Sequence, residues 1–74
     1  MNKAQEVEQA YVEASWFWNS NSECCYRDAV YTAHELGGIE IANAPTRTFE
    51  FDDSSTVYVT YGGAFVIAKW AVLT

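Results

Sequence analysis

The first half of the chain carries apolar residues at helical spacing. The spacing predicts a first helix over residues 3–18, whose inward stripe would consist of Val7, Tyr11, Ala14 and Trp18, flanked by Ala10 and Phe17. Trp16 falls on the opposite side of this helix. It must therefore be covered by another element or be exposed to a partner.

A second helix is predicted from the Ser20–Glu23 segment to Leu36. Ser20 followed by Glu23 is typical of a capping box, and Gly37-Gly38 is a strong stop signal. Small residues at Cys25, Ala29 and Ala33 share one face, which would allow close approach to the first helix or to a sheet.

The second half alternates between apolar and polar residues, which predicts strands at Arg47–Asp52, Thr56–Tyr61 and Ala64–Leu73. Asp53-Ser54-Ser55 and Gly62-Gly63 are the expected turns. A further short strand at Ile39–Ala42 is left open, and residues 43–46 look like the joint between the halves.

Both turns predict the same apolar sheet face. The first pairs Phe49 with Val59, and the second pairs Val59 with Val66. The inward face would then consist of Phe49, Phe51, Val57, Val59, Val66, Ala68 and Trp70. The predicted fold is α+β, a single domain over residues 1–74, with two N-terminal helices packed on a three-stranded antiparallel meander.

The same register defines a second sheet face, made of Glu50, Asp52, Thr56, Tyr58, Thr60, Phe65, Ile67 and Lys69. An apolar centre of Tyr58, Phe65 and Ile67 with a charged rim of Glu50, Asp52 and Asp53 is typical of a protein-binding surface, and Trp16 is a further candidate contact. Two alternatives are that a helix of the same chain covers this face and that a homodimer buries it.

The net charge of the chain favours some classes of partner over others. Ten acidic and four basic side chains give a formal net charge of −6. This charge argues against direct nucleic-acid or anionic-membrane binding and favours a protein with a basic surface, or simply solubility. The polar N-terminal segment does not look like a signal peptide, and the two cysteines are adjacent, so a cytoplasmic location is expected.

Candidates for catalysis are few. His34, the single histidine, is predicted on the outer side of the second helix, about 15 Å along the axis from Cys24. Cys25 is expected to pack in the core, and Cys24 is the more exposed thiol. Neither metal-ligand spacing nor a phosphate-binding loop is present in the sequence. We therefore expect no enzyme activity, no metal and no cofactor.

The segment from Thr48 to Val59, TFEFDDSSTVYV, is similar in style to acidic hairpins of the anti-CRISPR proteins, which are small inhibitors encoded by bacteriophages. This resemblance covers about a sixth of the chain. It implies a non-enzymatic inhibitor in the host bacterial cytoplasm, which blocks a nucleic-acid-handling complex with acidic, partly phosphate-mimicking residues. The alternative expectation is a structural or regulatory homodimer that packs through the outer sheet face.

Overall fold

The computed structural model describes residues 1–42 and 47–67, which form two helices and a four-stranded sheet. The elements are α1 (Lys3–Phe17), α2 (Ser22–Glu35), β1 (Ile39–Ala42), β2 (Arg47–Glu50), β3 (Thr56–Thr60) and β4 (Gly63–Val66). The strands are all antiparallel and lie in the order β1-β2-β3-β4. The α+β class is confirmed, but the predicted count of three strands is wrong.

Helix α1 begins at a capping box. The Asn2 side chain accepts a hydrogen bond from the Gln5 backbone, and the Gln5 side chain accepts one from the Asn2 backbone. The helix ends at Phe17, one residue before the predicted end, because Asn19 and Ser20 both adopt positive φ and turn the chain. Trp18 is consequently the C-cap of α1 and does not continue its buried stripe.

Helix α2 begins one position later than a Ser20 cap would require. The N-cap is Asn21, whose side chain accepts a hydrogen bond from the Cys24 N–H at 2.9 Å. The predicted stop is present: Gly37 has φ 78°, and the N–H groups of Gly37 and Gly38 donate to the carbonyls of His34 and Ala33.

Strand β1, which the sequence left open, forms one edge of the described sheet. It pairs with β2 through Ile39 opposite Glu50 and Glu40 opposite Phe49, and a bulge follows before Ala42. Four residues of alternation are too short a pattern to predict a strand with assurance. Strand β1 forms because it pairs with β2 and because the chain reverses direction at Gly37.

Both hairpin turns lie one residue earlier than predicted. The β2–β3 connection turns at residues 52–54, and the β3–β4 connection turns at Tyr61-Gly62. Phe49 therefore pairs with Val57, and Val57 with Val66, so each register differs from the prediction by two residues. Side chains alternate with a period of two, and a shift of two leaves the described strand residues on their predicted faces.

The core lies between the inner sheet face and both helices, which lie on the same side of the sheet. Its fully buried larger side chains are Phe49, Val7, Val57, Val59 and Cys25. The small residues of α2 permit this close packing. At the helix–sheet joint, a Cβ on Gly38 would lie 2.7 Å from Phe51 Cε1, so glycine is required there.

The predicted ends of two strands need correction. Strand β2 ends at Glu50 and β3 at Thr60, each short of the predicted bound, because the chain enters its turns earlier. Strand β4 ends at Val66, although the Ile67 N–H still donates to the Thr56 carbonyl at 2.9 Å. The predicted continuation to Leu73, including Ala68, Lys69 and Trp70, lies outside the described residues.

Candidate protein-binding surfaces

The sheet face turned away from the helices is the first candidate surface. We call it the outer sheet face, and its described residues are Ile39, Thr48, Glu50, Thr56, Tyr58, Thr60, Phe65 and Ile67. Tyr58 and Phe65 are direct cross-strand partners, and their ring centroids lie 5.2 Å apart. Phe65 is 43% exposed and Ile39 is 70% exposed, whereas Tyr58 and Ile67 are half-buried.

The three predicted apolar contacts are therefore brought together. Neither helix covers the outer sheet face, because both pack on the inner one. The pairing of β1 adds Ile39, which lies opposite Glu50. Ile39 was not predicted as a surface residue because its strand was left open.

Asp53 makes structural hydrogen bonds at the end of the outer sheet face. Its carboxylate accepts hydrogen bonds from the Lys3 N–H at 2.9 Å, from the Ser55 N–H at 3.0 Å and from the Ser55 hydroxyl. These bonds, above all that of the Ser55 hydroxyl, lower the pKa of Asp53 from 3.8 to about 2. Asp53 thus joins the β2–β3 turn to the first turn of α1.

The other two predicted rim carboxylates differ from each other. Asp52 Oδ1 is 2.6 Å from Lys3 Nζ, and the Asp52 side chain remains largely exposed. Glu50 is exposed beside Ile39, and no described lysine or arginine pairs with it. Of the predicted rim, Glu50 is therefore the carboxylate most available to a partner.

The second candidate surface is a helix-end aromatic cluster formed by Trp16, Phe17, Trp18 and Tyr31. Trp16 is 75% exposed, Phe17 78%, Tyr31 66% and Trp18 42%. The rings of Phe17 and Trp18 meet edge to face at 4.8 Å, and Trp18 Nε1 donates to Asp28 Oδ2 at 2.8 Å. Clustered exposed aromatic side chains are more typical of interfaces than of the general surface.

Only Trp16 of this cluster was predicted from the sequence as a candidate contact. Phe17 and Trp18 were assigned to the inward stripe or its flank, on the expectation that the helical pattern continued to Trp18. Trp18 is instead the C-cap of α1, and Phe17, the last residue of the helix, is exposed. Asn19-Ser20-Asn21, a run typical of turns, was the available signal that the helix stops sooner.

A groove between the two helices adjoins this cluster. We call it the interhelical groove; its volume is about 490 Å³, and it is lined by Ala10, Glu13, Ala14, Phe17, Asp28, Tyr31 and Thr32. Aromatic rings and carboxylates thus share one concave surface formed only by helical residues. A hydrogen bond from the Tyr31 hydroxyl to Glu35 Oε1, 2.8 Å long, raises the pKa of Tyr31.

A further groove of about 520 Å³ lies between α2 and β2 and contains most of the basic groups. Its lining consists of Tyr26, Arg27, Asp28, Val30, Tyr31, His34 and Arg47. Arg47 donates two hydrogen bonds to Glu40, each 2.7 Å long, and this contact lowers the pKa of Glu40. The Arg47 charge in this groove is therefore already paired.

The thiols and the histidine are placed as the sequence suggested. Cys25 is buried, and burial raises the pKa of its thiol, whereas Cys24 is half-buried. His34 is exposed and its ring meets the Phe49 ring edge-on at 5.2 Å. Within residues 1–42 and 47–67, no group of three His, Cys, Asp or Glu side chains is arranged to hold a metal ion.

Neither described helix is long and apolar enough to cross a membrane. Comparison with protein-family models, with curated proteins and with solved structures finds no significant match to this chain.

Proposed function

We propose that this chain is a non-enzymatic protein-binding domain that docks through its outer sheet face on a partner with an apolar centre and basic surroundings. The observation that carries the proposal is the Tyr58–Phe65 ring pair, which both helices leave uncovered on the outer sheet face. Fully burying an exposed phenylalanine contributes about 1.5–3 kcal/mol, and Phe65, which is 43% exposed, would gain part of this on docking.

The charge supports a basic partner. The net charge is −6, and Glu50 lies exposed beside the apolar residues of the outer sheet face. Complementary charge around an apolar centre speeds association and discriminates between partners more than it adds affinity. The rim in this proposal consists of Glu50 and Asp52, whereas Asp53 supports the turn that presents them.

We propose further that the partner is a nucleic-acid-handling complex. Exposed carboxylates at Glu6, Glu13, Glu50 and Asp52 could occupy basic sites at which a nucleic-acid-handling complex contacts phosphates. A chain that occupies these sites would act as a stoichiometric inhibitor, as the resemblance to anti-CRISPR proteins implies. The support for it is the acidic surface together with the hairpin segment, and the partner's identity stays a prediction.

Affinity capture from bacterial lysate tests the proposal, with Phe65→Asp compared against Val12→Asp. Val12 is also partly exposed but lies on α1, so the second variant adds the same charge away from the outer sheet face. We expect the wild type and Val12→Asp to capture the same protein, and Phe65→Asp to bind it at least about tenfold more weakly, a loss of about 1.4 kcal/mol. Circular dichroism confirms that both variants fold.

Two further measurements sharpen the result. Raising salt from about 0.1 M to about 1 M shortens the Debye length from about 10 Å to about 3 Å, and should weaken capture if carboxylates contribute. Excess single-stranded nucleic acid should displace the chain from a nucleic-acid-handling partner. Equal capture by both variants would contradict the docking site, and capture unaffected by nucleic acid would contradict the proposal of a nucleic-acid-handling partner.

A homodimer is the second candidate, and β1 favours it. Ile39 and Ile41 are both exposed on this edge strand, where a second copy could pack. Light scattering separates the two proposals: a stable dimer that Phe65→Asp dissociates supports the homodimer, and a monomer at all concentrations excludes it.

A further inference from the structure

We propose that the interhelical groove binds the guanidinium side chain of an arginine on a protein partner. This surface lies in the helical layer and is separate from the outer sheet face, so the inference does not depend on what binds there. Among the described residues, those that line it all belong to α1 and α2.

The groove offers two aromatic rings to a planar cation. Phe17 and Tyr31 belong to different helices and both line the groove, with most of their surface exposed. Aromatic faces attract cations through the ring quadrupole, an interaction of about 0.5–1 kcal/mol at exposed sites. A guanidinium is also more weakly hydrated than an ammonium and stacks on rings, which favours arginine over lysine.

The groove also offers unpaired negative charge. Glu13 on α1 and Asp28 on α2 line it, and no described lysine or arginine forms an ion pair with either. Two carboxylates beside a concave apolar floor of Ala10 and Ala14 complement a cation on an alkyl stem. This charge complementarity distinguishes the groove from an ordinary exposed aromatic patch.

One carboxylate is held in a defined orientation. Trp18 Nε1 donates to Asp28 Oδ2 at 2.8 Å, and this bond occupies one carboxylate oxygen while leaving Oδ1 available to a guanidinium N–H. Tyr31 is similarly restrained through its hydroxyl, which donates to Glu35. The groove is therefore partly ordered before a cation arrives, which lowers the entropic cost of binding.

The test is a titration of the isotopically labelled protein with an N-acetylated, C-amidated Gly-Arg-Gly peptide, followed by NMR. The matched probe replaces arginine with citrulline, which has nearly the same shape and no charge. We expect saturable shifts at the Trp18 indole N–H and at the backbone amides of Glu13, Phe17, Asp28 and Tyr31. Dissociation constants of roughly 1–10 mM are expected, as befits a single side chain.

The citrulline peptide should produce no saturable shifts. Asp28→Asn should weaken arginine binding about tenfold, because a charged hydrogen-bond partner is lost while the shape is kept. Glu50→Gln is the matched control, since it removes one exposed carboxylate on the other side of the sheet, and it should leave the affinity unchanged.

Three outcomes would overturn the proposal: no saturable shifts with arginine, equal shifts with citrulline, or tighter binding of the corresponding lysine peptide. Phe65→Asp should bind the arginine peptide as the wild type does. The peptide titration can therefore contradict arginine binding in the groove without contradicting partner docking on the outer sheet face.

Discussion

The outer sheet face and the interhelical groove differ in how the fold holds their aromatic side chains. Tyr58 and Phe65 stand on paired strands and support each other, so much of their surface is already covered. Phe17 and Tyr31 project from helices and are more exposed. A sheet thus presents a surface of fixed spacing, whereas two packed helices form a concave site between them.

The two regions also differ in whether their carboxylates are paired with other groups of the chain. At the end of the sheet, Asp52 and Asp53 are engaged with the first residues of α1. In the groove, Glu13 and Asp28 have no described basic partner. The predicted acidic rim of the sheet is in part a structural joint, and the helical side carries carboxylates that are free to meet a cation.

The largest expected effect is on the core that supports both regions. Phe49→Ala removes a fully buried ring and should lower the free energy of unfolding by about 3–5 kcal/mol. A small domain has about 5 kcal/mol or little more in total, so little folded protein should persist. Urea denaturation followed by circular dichroism measures this loss.

Phe65→Ala is the matched control for Phe49→Ala, since its ring lies on the opposite side of the same sheet and is partly exposed. It should cost less than about 1.5 kcal/mol. Equal losses from the two substitutions would mean that the outer sheet face is core rather than docking surface, and the comparison between the two regions would fail.

Asp53→Asn should have an intermediate effect and test the structural role of the rim. The folded pKa of Asp53 is about 2, below the ordinary value of 3.8, so the ionised carboxylate stabilises the fold above about pH 4. This contribution is lost as the pH falls from about 4 toward 2. The variant should have a lower urea midpoint than the wild type near pH 7, and the difference should narrow in acid.

Asp52→Asn provides the control for Asp53→Asn, because it removes an exposed ion pair and not a set of backbone contacts. Its midpoint should lie closer to that of the wild type. A constant difference between wild type and Asp53→Asn over this pH range would show that the carboxylate charge does not stabilise the turn.

The smallest expected effect is that of Trp18→Phe, which keeps a ring and removes the indole N–H bonded to Asp28. Because the bond is exposed, its loss should cost less than about 1 kcal/mol of stability. The affinity for the arginine peptide should fall with it, since the Asp28 carboxylate loses its fixed orientation. An unchanged affinity would show that the groove does not need this bond.

The distribution of residues between the sheet faces was predictable, but the pairing was not. Alternation placed Val57 and Val59 inward and Tyr58 outward, as the structure has them. Both turns nevertheless start one residue earlier than their glycine and serine signals indicated. Tyr61 explains the earlier start of the β3–β4 turn, because its backbone carbonyl accepts a hydrogen bond from the Tyr11 hydroxyl at 2.7 Å. The Tyr61 ring also stacks on the Tyr26 ring, with the ring centroids 4.4 Å apart.

The interhelical groove could not be predicted because its members come from two helices whose contact is tertiary. Trp16 was recognised as lying opposite the inward stripe of α1, whereas Trp18 was placed on that stripe by extending the helix one residue too far. Asp28 and Tyr31 lie on the outer side of α2 and carry no local signal of their own.

The sequence by itself determined the α+β class, the inward stripes of both helices apart from Trp18, the stop at Gly37 and the two faces of the sheet. These features depend on periodicity and on single-residue backbone preferences, which act over a few positions. Tertiary structure alone decided the pairing of β1, the exact turns and the interhelical groove. The reason is distance along the chain: the bonds from Lys3 to Asp53 and from Tyr11 to Tyr61 each join residues 50 positions apart, beyond the reach of any local pattern.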